Sequence, residues 1–278
     1  MATELREQVL LHMRLRGFSP RTVESYLHAY EELARHYWTA LDQLRCEQVQ
    51  QFLDELVTVR KLAWATINVY FSAYRLLYEK ILSRTPREFS IPPRGRSGKR
   101  PGILSKEEIR RLLDAHTNLK HRALLSMIYG SGLRVSEAVV LTARHIDSDR
   151  MMLRVEQGKG HKDRYSVLSK VALERLREHW RRNGPMDCLF YGRDKGHPMS
   201  IGTAQQVYYQ ALEKSGVRRV GGIHVLRHCF ATHLMEAGAD MYVIKRWMGH
   251  RALATTGHYI HVTREHLSRV VSPADMLL

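Results

Sequence analysis

Tyr259 stands between two histidines in the segment ATTGHYIHV, residues 254–262. Its ring either packs against its neighbours or supplies a nucleophilic oxygen. A phenol is a weak nucleophile at neutral pH, so the second reading needs cations that favour phenolate character and meet the charge developing on the group attacked. Four other stretches carry such groups. In GSGLRVSE, residues 130–137, two glycines permit a sharp reversal, and Arg134 with the backbone N–H groups behind it forms an anion cradle. An arginine at a helix start opposes the helix dipole, and Glu137, three residues on, is its internal partner if the pair is only structural. In GKGHK, Lys159 lies between Gly158 and Gly160, free to approach a phosphate as a general acid or simply to bind a phosphate as a bare loop cation. In HVLRH, helical spacing puts His224, Arg227 and His228 on one face; a solvated face is the plain alternative. Two histidines four apart also suit zinc, but there is no glutamate between them and no third ligand at convincing spacing. MGH adds His250.

Taken together these side chains could attack a phosphodiester and leave a covalent phosphotyrosyl bond. Fixed cations would meet the phosphorane charge, and no acidic cluster offers to hold a divalent ion, so neither metal nor cofactor is expected.

The elements that must position them are mostly helical. Amphipathic stretches over residues 4–16, from Ser19-Pro20 onward, 46–59 and 64–82 predict a small N-terminal bundle. The stretch 83–103, SRTPREFSIPPRGRSGKRPGI, with four prolines, three glycines and six basic residues against one acid, reads as a linker that runs extended over a surface. It is either a hinge or a strap along phosphates. Beyond it Ser105 and Glu108 form a capping box, and helices are expected at 121–129, from Leu133, and at 170–182, 200–215, 224–237, 240–248 and 263–270. Between them the period changes to two over 151–168, a β-hairpin whose tip is GKGHK. The fold class is therefore mainly α with one small β-sheet, arranged as a helical domain at 1–86, a basic linker at 87–103 and a second domain at 104–278.

Composition narrows the partner. Lys and Arg outnumber Asp and Glu by 44 to 28, a formal charge of +16, which favours a polyanion, with nucleic acid foremost. Cys46, Cys188 and Cys229 are odd in number and widely spaced, which argues against a disulfide framework. No apolar run approaches the roughly 18–20 residues of a membrane span, and the N-terminus does not read as a targeting peptide. A cytoplasmic protein is expected.

Arg134 in GLRVSE, Lys159 in a GKGxKxR hairpin, His224 and Arg227 in HxLRH, His250 in GH and Tyr259 in TTxxYxHV, in that order, closely resemble the tyrosine recombinase, or phage integrase, family. The N-terminal stretch FSPRTVESYLHAYEELARH is similar to the SAM-like core-binding domain of Xer-type members, so the resemblance covers nearly the whole chain. The tyrosine segment departs from the usual pattern at Arg251, Gly257 and His258, and Trp247 stands where an aliphatic residue is common.

The resemblance implies a site-specific DNA recombinase acting through a 3′-phosphotyrosyl intermediate. In it Arg134 and Arg227 clamp the scissile phosphate, Lys159 protonates the leaving 5′ oxygen, His224 moves the tyrosine proton, His250 binds the phosphate and Tyr259 attacks. It also implies four protomers on two duplexes, with a sister recombinase as an optional partner, and a C-terminal segment from Thr263 that docks on a neighbour. Arg94, Arg96, Lys99 and Arg100 of the linker and Lys162 and Arg164 of the hairpin are the expected DNA-binding residues. Two other readings stay open: a DNA-relaxing enzyme resembling type IB topoisomerases, and a catalytically idle DNA-binding accessory protein.

Overall fold

The computed structural model describes residues 3–84, 89–93, 102–156, 163–184 and 187–249. The chain divides into two compact units, Met1–Gly98 and Lys99–Leu278.

The first unit is a helical bundle of α1 (Thr3–Leu15), α2 (Pro20–Tyr37), α3 (Cys46–Thr58) and α4 (Trp64–Arg75). Ser19 caps α2 by accepting from the Thr22 amide, with Pro20 at the first helical position, as the sequence suggests. Val9, Met13, Leu33, Phe52, Leu53 and Leu77 fill the core together with the deeply buried Tyr30, Tyr74 and Tyr78. Each phenol finds a main-chain acceptor: Tyr30 donates to the Ala73 carbonyl at 2.8 Å, Tyr74 to Ala29 at 2.9 Å, and Tyr78 to Leu41 at 2.7 Å. The first two bonds are reciprocal and lock α2 to α4, and none of the three hydroxyls is buried unpaired.

The stretch expected as one helix over 64–82 changes register. Beyond α4 a π-helical segment, Leu76–Ile81, keeps Leu76, Leu77 and Tyr78 all buried. The first part of the expected linker is tied down. Phe89 is buried edge-on to Tyr78, Gln50 exchanges hydrogen bonds with the backbone of Ser90, and Trp64 donates to the Pro92 carbonyl at 3.0 Å. An aromatic residue in a Pro- and Arg-rich stretch has somewhere to go, and it goes into the bundle.

The second unit is built on α6 (Leu119–Gly130), in which every residue from Ala123 to Ile128 is buried, so neighbours surround it. Around it lie α5 (Lys106–Asp114), α8 (Lys170–Asn183), α9 (Ile201–Ser215) and α10 (His224–Glu236), with the short α7 (Val135–Val139) and α11 (Met241–Met248) completing the set. Ser105 and Glu108 form the expected capping box on α5, and Ser169, Ser200 and Asp240 cap α8, α9 and α11.

The hairpin strands are β2 (Met152–Val155) and β3 (Arg164–Val167), paired antiparallel with Leu153 opposite Ser166 and Val155 opposite Arg164. A third strand, β1 (Ile146–Asp147), extends the sheet in the order β1-β2-β3; two residues are too few to show a period in sequence. The hairpin tip 157–162 and the helix expected at 263–270 lie outside the described residues. Among the described residues no helix is long and apolar enough to cross a membrane.

The turn between α6 and α7 depends on Gly132. Its φ of +59° lies in the left-handed region, and a Cβ there would sit 2.4 Å from the Phe230 ring on α10. Gly216 has a similar φ of +64°, but a methyl group added to it would meet nothing within 4 Å. Gly132→Ala is therefore expected to lower unfolding free energy by about 3 kcal/mol, and Gly216→Ala by about 1 kcal/mol. Urea unfolding midpoints of the two variants check the difference; equal shifts would contradict the packing argument.

Candidate active site

Glu137, on the first turn of α7, is buried and draws three guanidinium groups to it. Arg134, at the N-cap of the same helix, donates its backbone N–H to Glu137 Oε2 at 2.8 Å and its Nη1 to Oε1 at 2.7 Å. The unfavourable dipole at the helix start is thus offset locally, as the three-residue spacing suggests. Arg164, from the start of β3, meets the same carboxylate in a fork, Nη1 to Oε1 and Nη2 to Oε2, both at 2.9 Å. Arg227, from the first turn of α10, brings Nη1 to 3.7 Å from Oε2. Charged hydrogen bonds of this kind are roughly twice as strong as neutral ones.

Arg227 is only 1% exposed, so the HVLRH face is solvated at His224 but not at its arginine. Its Nη1 donates to the Gly132 carbonyl at 2.6 Å and its Nη2 to the Met248 carbonyl. Arg164 Nε donates to the Trp247 carbonyl at 2.9 Å. Two successive carbonyls at the C-terminus of α11, which no later turn of that helix can satisfy, are in this way capped by arginines. Gly249 ends the helix with φ +62°, and a Cβ on it would come within 2.8 Å of Arg164 Cδ; the glycine of MGH is needed for this approach.

Three guanidiniums against one carboxylate leave a local excess of +2. Arg134 keeps 22% of its side chain exposed and lines a groove of about 690 Å³ with Val140, Arg144, His145 and Arg154. Burial alone would raise the Glu137 pKa, but hydrogen bonds and charge from Arg164, then the bonds from Arg134, hold it below the ordinary carboxylate range. His224, exposed at the first position of α10, is held below its ordinary pKa by desolvation first and then by the charges of Arg227 and Arg134. It is neutral near pH 7. The His228 ring meets it edge-on at 5.3 Å, and desolvation followed by the charges of His224 and Arg227 lowers the His228 pKa to about 4.

Of the six residues singled out for chemistry, the structure brings Arg134, His224 and Arg227 together. Lys159, His250 and Tyr259 lie outside the described residues, as do Arg94, Arg96, Lys99, Arg100 and Lys162 among the expected DNA contacts. Arg164, one of the expected DNA contacts, faces into the protein. Its side chain is 10% exposed, and its donors go to Glu137 and Trp247 within the protein. The strand alternation carries the signal: Arg164 shares a face with buried Ser166, which donates to the Ser131 carbonyl at 2.7 Å, while Tyr165 between them points outward. Sequence spacing gives Glu137 one arginine and does not reveal its role for three.

Glu137→Gln should cost about 3 kcal/mol at pH 7, because three guanidiniums lose their counter-charge. The folded-state pKa of this carboxyl is depressed, so its contribution is present above the unfolded value and lost as pH falls through the folded one. The gap in urea-unfolding free energy between variant and unmodified chain is therefore expected to be widest near neutral pH and to close below about pH 4. A gap independent of pH would show that charge is not what the residue supplies.

The phage integrase family matches residues 103–266, and the N-terminal SAM-like domain of phage integrases matches residues 5–88. A relative from Sinorhizobium fredii named as an integrase/recombinase, y4qK, is 40% identical over 277 residues, covering 99% of this chain and 90% of its own. Tyrosine recombinase XerA of Pyrococcus furiosus is 28% identical over 284 residues, covering 100% of this chain and 96% of its own. Among solved structures, XerH site-specific recombinase bound to a palindromic difH substrate in a post-cleavage complex shares the fold, with TM-score 0.71 and 24% identity over 88% of this chain and 78% of that one. With both units matched and the relative at 40% identity spanning nearly the full length, the chain belongs to the phage integrase family of tyrosine recombinases, DNA strand-exchange enzymes that carry out site-specific recombination.

Proposed function

We propose that this recombinase cleaves one strand at a time through Tyr259, with Arg134, Lys159, His224, Arg227 and His250 as its catalytic partners. The observation that carries the reading is the Glu137 cluster, which fixes two of the named arginines beside a neutral His224 and leaves Arg134 facing a groove. A phosphodiester docked there meets a field that needs no reorganisation when charge builds on the phosphorane.

The Tyr259 oxygen forms a bond to phosphorus while the bond to the 5′ oxygen breaks. His224 takes the phenol proton, and Lys159 gives one to the departing oxygen. The product is a 3′-phosphotyrosyl bond and a free 5′-hydroxyl. Because the covalent bond retains the energy of the phosphodiester, a 5′-hydroxyl from a partner strand reverses the step without ATP. The protein works as four protomers on two duplexes carrying a specific site, alone or with a sister recombinase, and the segment from Thr263 docks on a neighbour. Its setting is the bacterial cytoplasm, in association with the nucleoid, and its role is integration and excision, transposition or dimer resolution. That XerH was captured on its difH substrate after cleavage supports DNA as the partner. Neither the DNA-relaxing enzyme nor the idle accessory protein is favoured by the relatives.

Sequencing DNA covalently trapped on the protein in cells identifies the site and tests the nucleophile in one experiment. Tyr259→Phe is expected to bind that DNA and yield no adduct; an adduct with the variant removes Tyr259 from the role. On the recovered site Lys159→Ala should slow cleavage by a factor on the order of 10²–10⁴ at an ordinary phosphate, and far less where a 5′-bridging sulfur leaves without needing a proton. Equal slowing on both substrates would refute Lys159 as the acid. Arg96→Ala, in the basic linker, should weaken binding and reduce the slope of log K against log salt by about 1, leaving the cleavage step unchanged.

A further inference from the structure

Arg164 is not among the six residues given roles in the chemistry, and its guanidinium is mostly buried, bonded to Glu137 and to the Trp247 carbonyl. It joins three segments that are far apart in sequence. It sits at the start of β3, on the strand that follows the Lys159 turn. Two of its nitrogens grip Glu137 on α7, the carboxylate that also holds Arg134 and Arg227. Its third, Nε, holds the Trp247 carbonyl at the end of α11, the last helix before His250 and Tyr259.

We propose that Arg164 is a positioning residue that sets the start of the tyrosine-bearing segment relative to the arginines that clamp the phosphate. The inference rests on the catalytic roles proposed above. Three features of the geometry support it. A planar guanidinium presents its donors in a rigid fork, so the direction from Glu137 to Trp247 is fixed by covalent structure, whereas the single, freely rotating nitrogen of a lysine ammonium fixes no such direction. The neighbouring carbonyl, Met248, is held by Arg227, which contacts the same carboxylate, so the end of α11 has two tethers to one hub. And Gly249 leaves the helix where any side chain would press on Arg164: its Cβ would lie 2.8 Å from Cδ and 3.1 Å from Nε. The backbone is bare where the arginine passes.

An error of about 1 Å in the placement of an attacking group can cost on the order of 100-fold in rate with no change in binding. Arg164→Lys keeps the charge and removes the fork, so it separates these effects. On duplex carrying the site recovered from trapped DNA, the variant should bind with unchanged affinity and cleave on the order of 100-fold more slowly in a single turnover. The loss should be the same with a 5′-bridging sulfur, because the attacking group is misplaced and the leaving group is not at fault. Hydrogen exchange of the DNA-free protein should quicken at the end of α11 and in the residues after it, with α6 and α9 unchanged. Gly249→Ala, which displaces the arginine without altering it, should reproduce the pattern if Arg164→Lys does not fold.

Unchanged exchange at the end of α11, unchanged cleavage, recovery on the sulfur substrate, or a rate loss that only tracks a smaller folded fraction would each overturn the proposal. Absence of any DNA adduct from the unmodified chain would instead defeat the catalytic reading. The exchange measurement needs no DNA and still decides whether Arg164 holds the segment.

Discussion

The catalytic unit is organised by one buried carboxylate shared among three guanidiniums. Removing Glu137 from water costs several kcal/mol even after the protein relaxes, and charge-assisted bonds to both oxygens offset it. Oε1 accepts from Arg134 and Arg164, and Oε2 accepts from the Arg134 amide and Arg164, with Arg227 beyond. Without the carboxylate, three like charges at this spacing would drive one another apart. With it, they are held on α7, β3 and α10 in one arrangement, and the excess of positive charge remains. The same contacts tie together short pieces of secondary structure: a five-residue helix, a four-residue strand and the C-terminal end of α11.

Stability alone does not account for such a cluster. Well-packed apolar residues of similar volume are often as stabilising as a buried ion pair, or more so. What apolar packing cannot supply is a fixed positive potential directed at a groove. The surrounding fold is compatible with that use: α6 is enclosed on all sides, Phe230 closes over Gly132, and the turn between α6 and α7 is placed so that the Gly132 carbonyl points at Arg227. Part of the stability of the unit is thus spent on holding cations close together before any anion arrives.

Much of this is legible in the sequence, and what is not legible has a common cause. Helices announce themselves through local signals. Ser105 with Glu108, Ser19 with Pro20, and the apolar spacing of α2 and α4 act within one or two turns, and the structure follows them. The pair of Arg134 and Glu137 is visible for the same reason. The partnership of Glu137 with Arg164 spans 27 residues, and that of Arg227 with the Gly132 carbonyl spans 95; no periodicity encodes either. Arg164 reads as a DNA contact because it follows a basic turn, and only its register with Ser166 reveals the inward face. Phe89 is hidden in a linker for the opposite reason: a single aromatic residue among prolines and arginines gives no pattern, yet it buries itself against Tyr78 once the bundle exists. The π-helical turn at Leu76–Ile81 leaves no local mark at all, since its residues are ordinary helix formers.

The same field that holds the arginines also acts on His224, and the direction of its effect bears on the role proposed for it. Desolvation is the largest influence on this imidazole, followed by the charges of Arg227 and Arg134; Glu137 pulls the other way but does not prevail. A protonated ring at this position would add a further cation to a cluster already in excess. The neutral ring is therefore favoured near pH 7, with a nitrogen lone pair able to accept a proton. A phenol brought to the same place experiences the opposite bias, because surrounding positive charge stabilises the phenolate as much as it disfavours the imidazolium. Docking of a phosphate against Arg134 and Arg227 would offset part of that charge and make the histidine more basic while the phosphate is in place. Under the role proposed for His224, a docked phosphate thus favours proton acceptance by the ring while it weakens the bias toward phenolate, and both effects act through electrostatics fixed by Glu137 and two arginines.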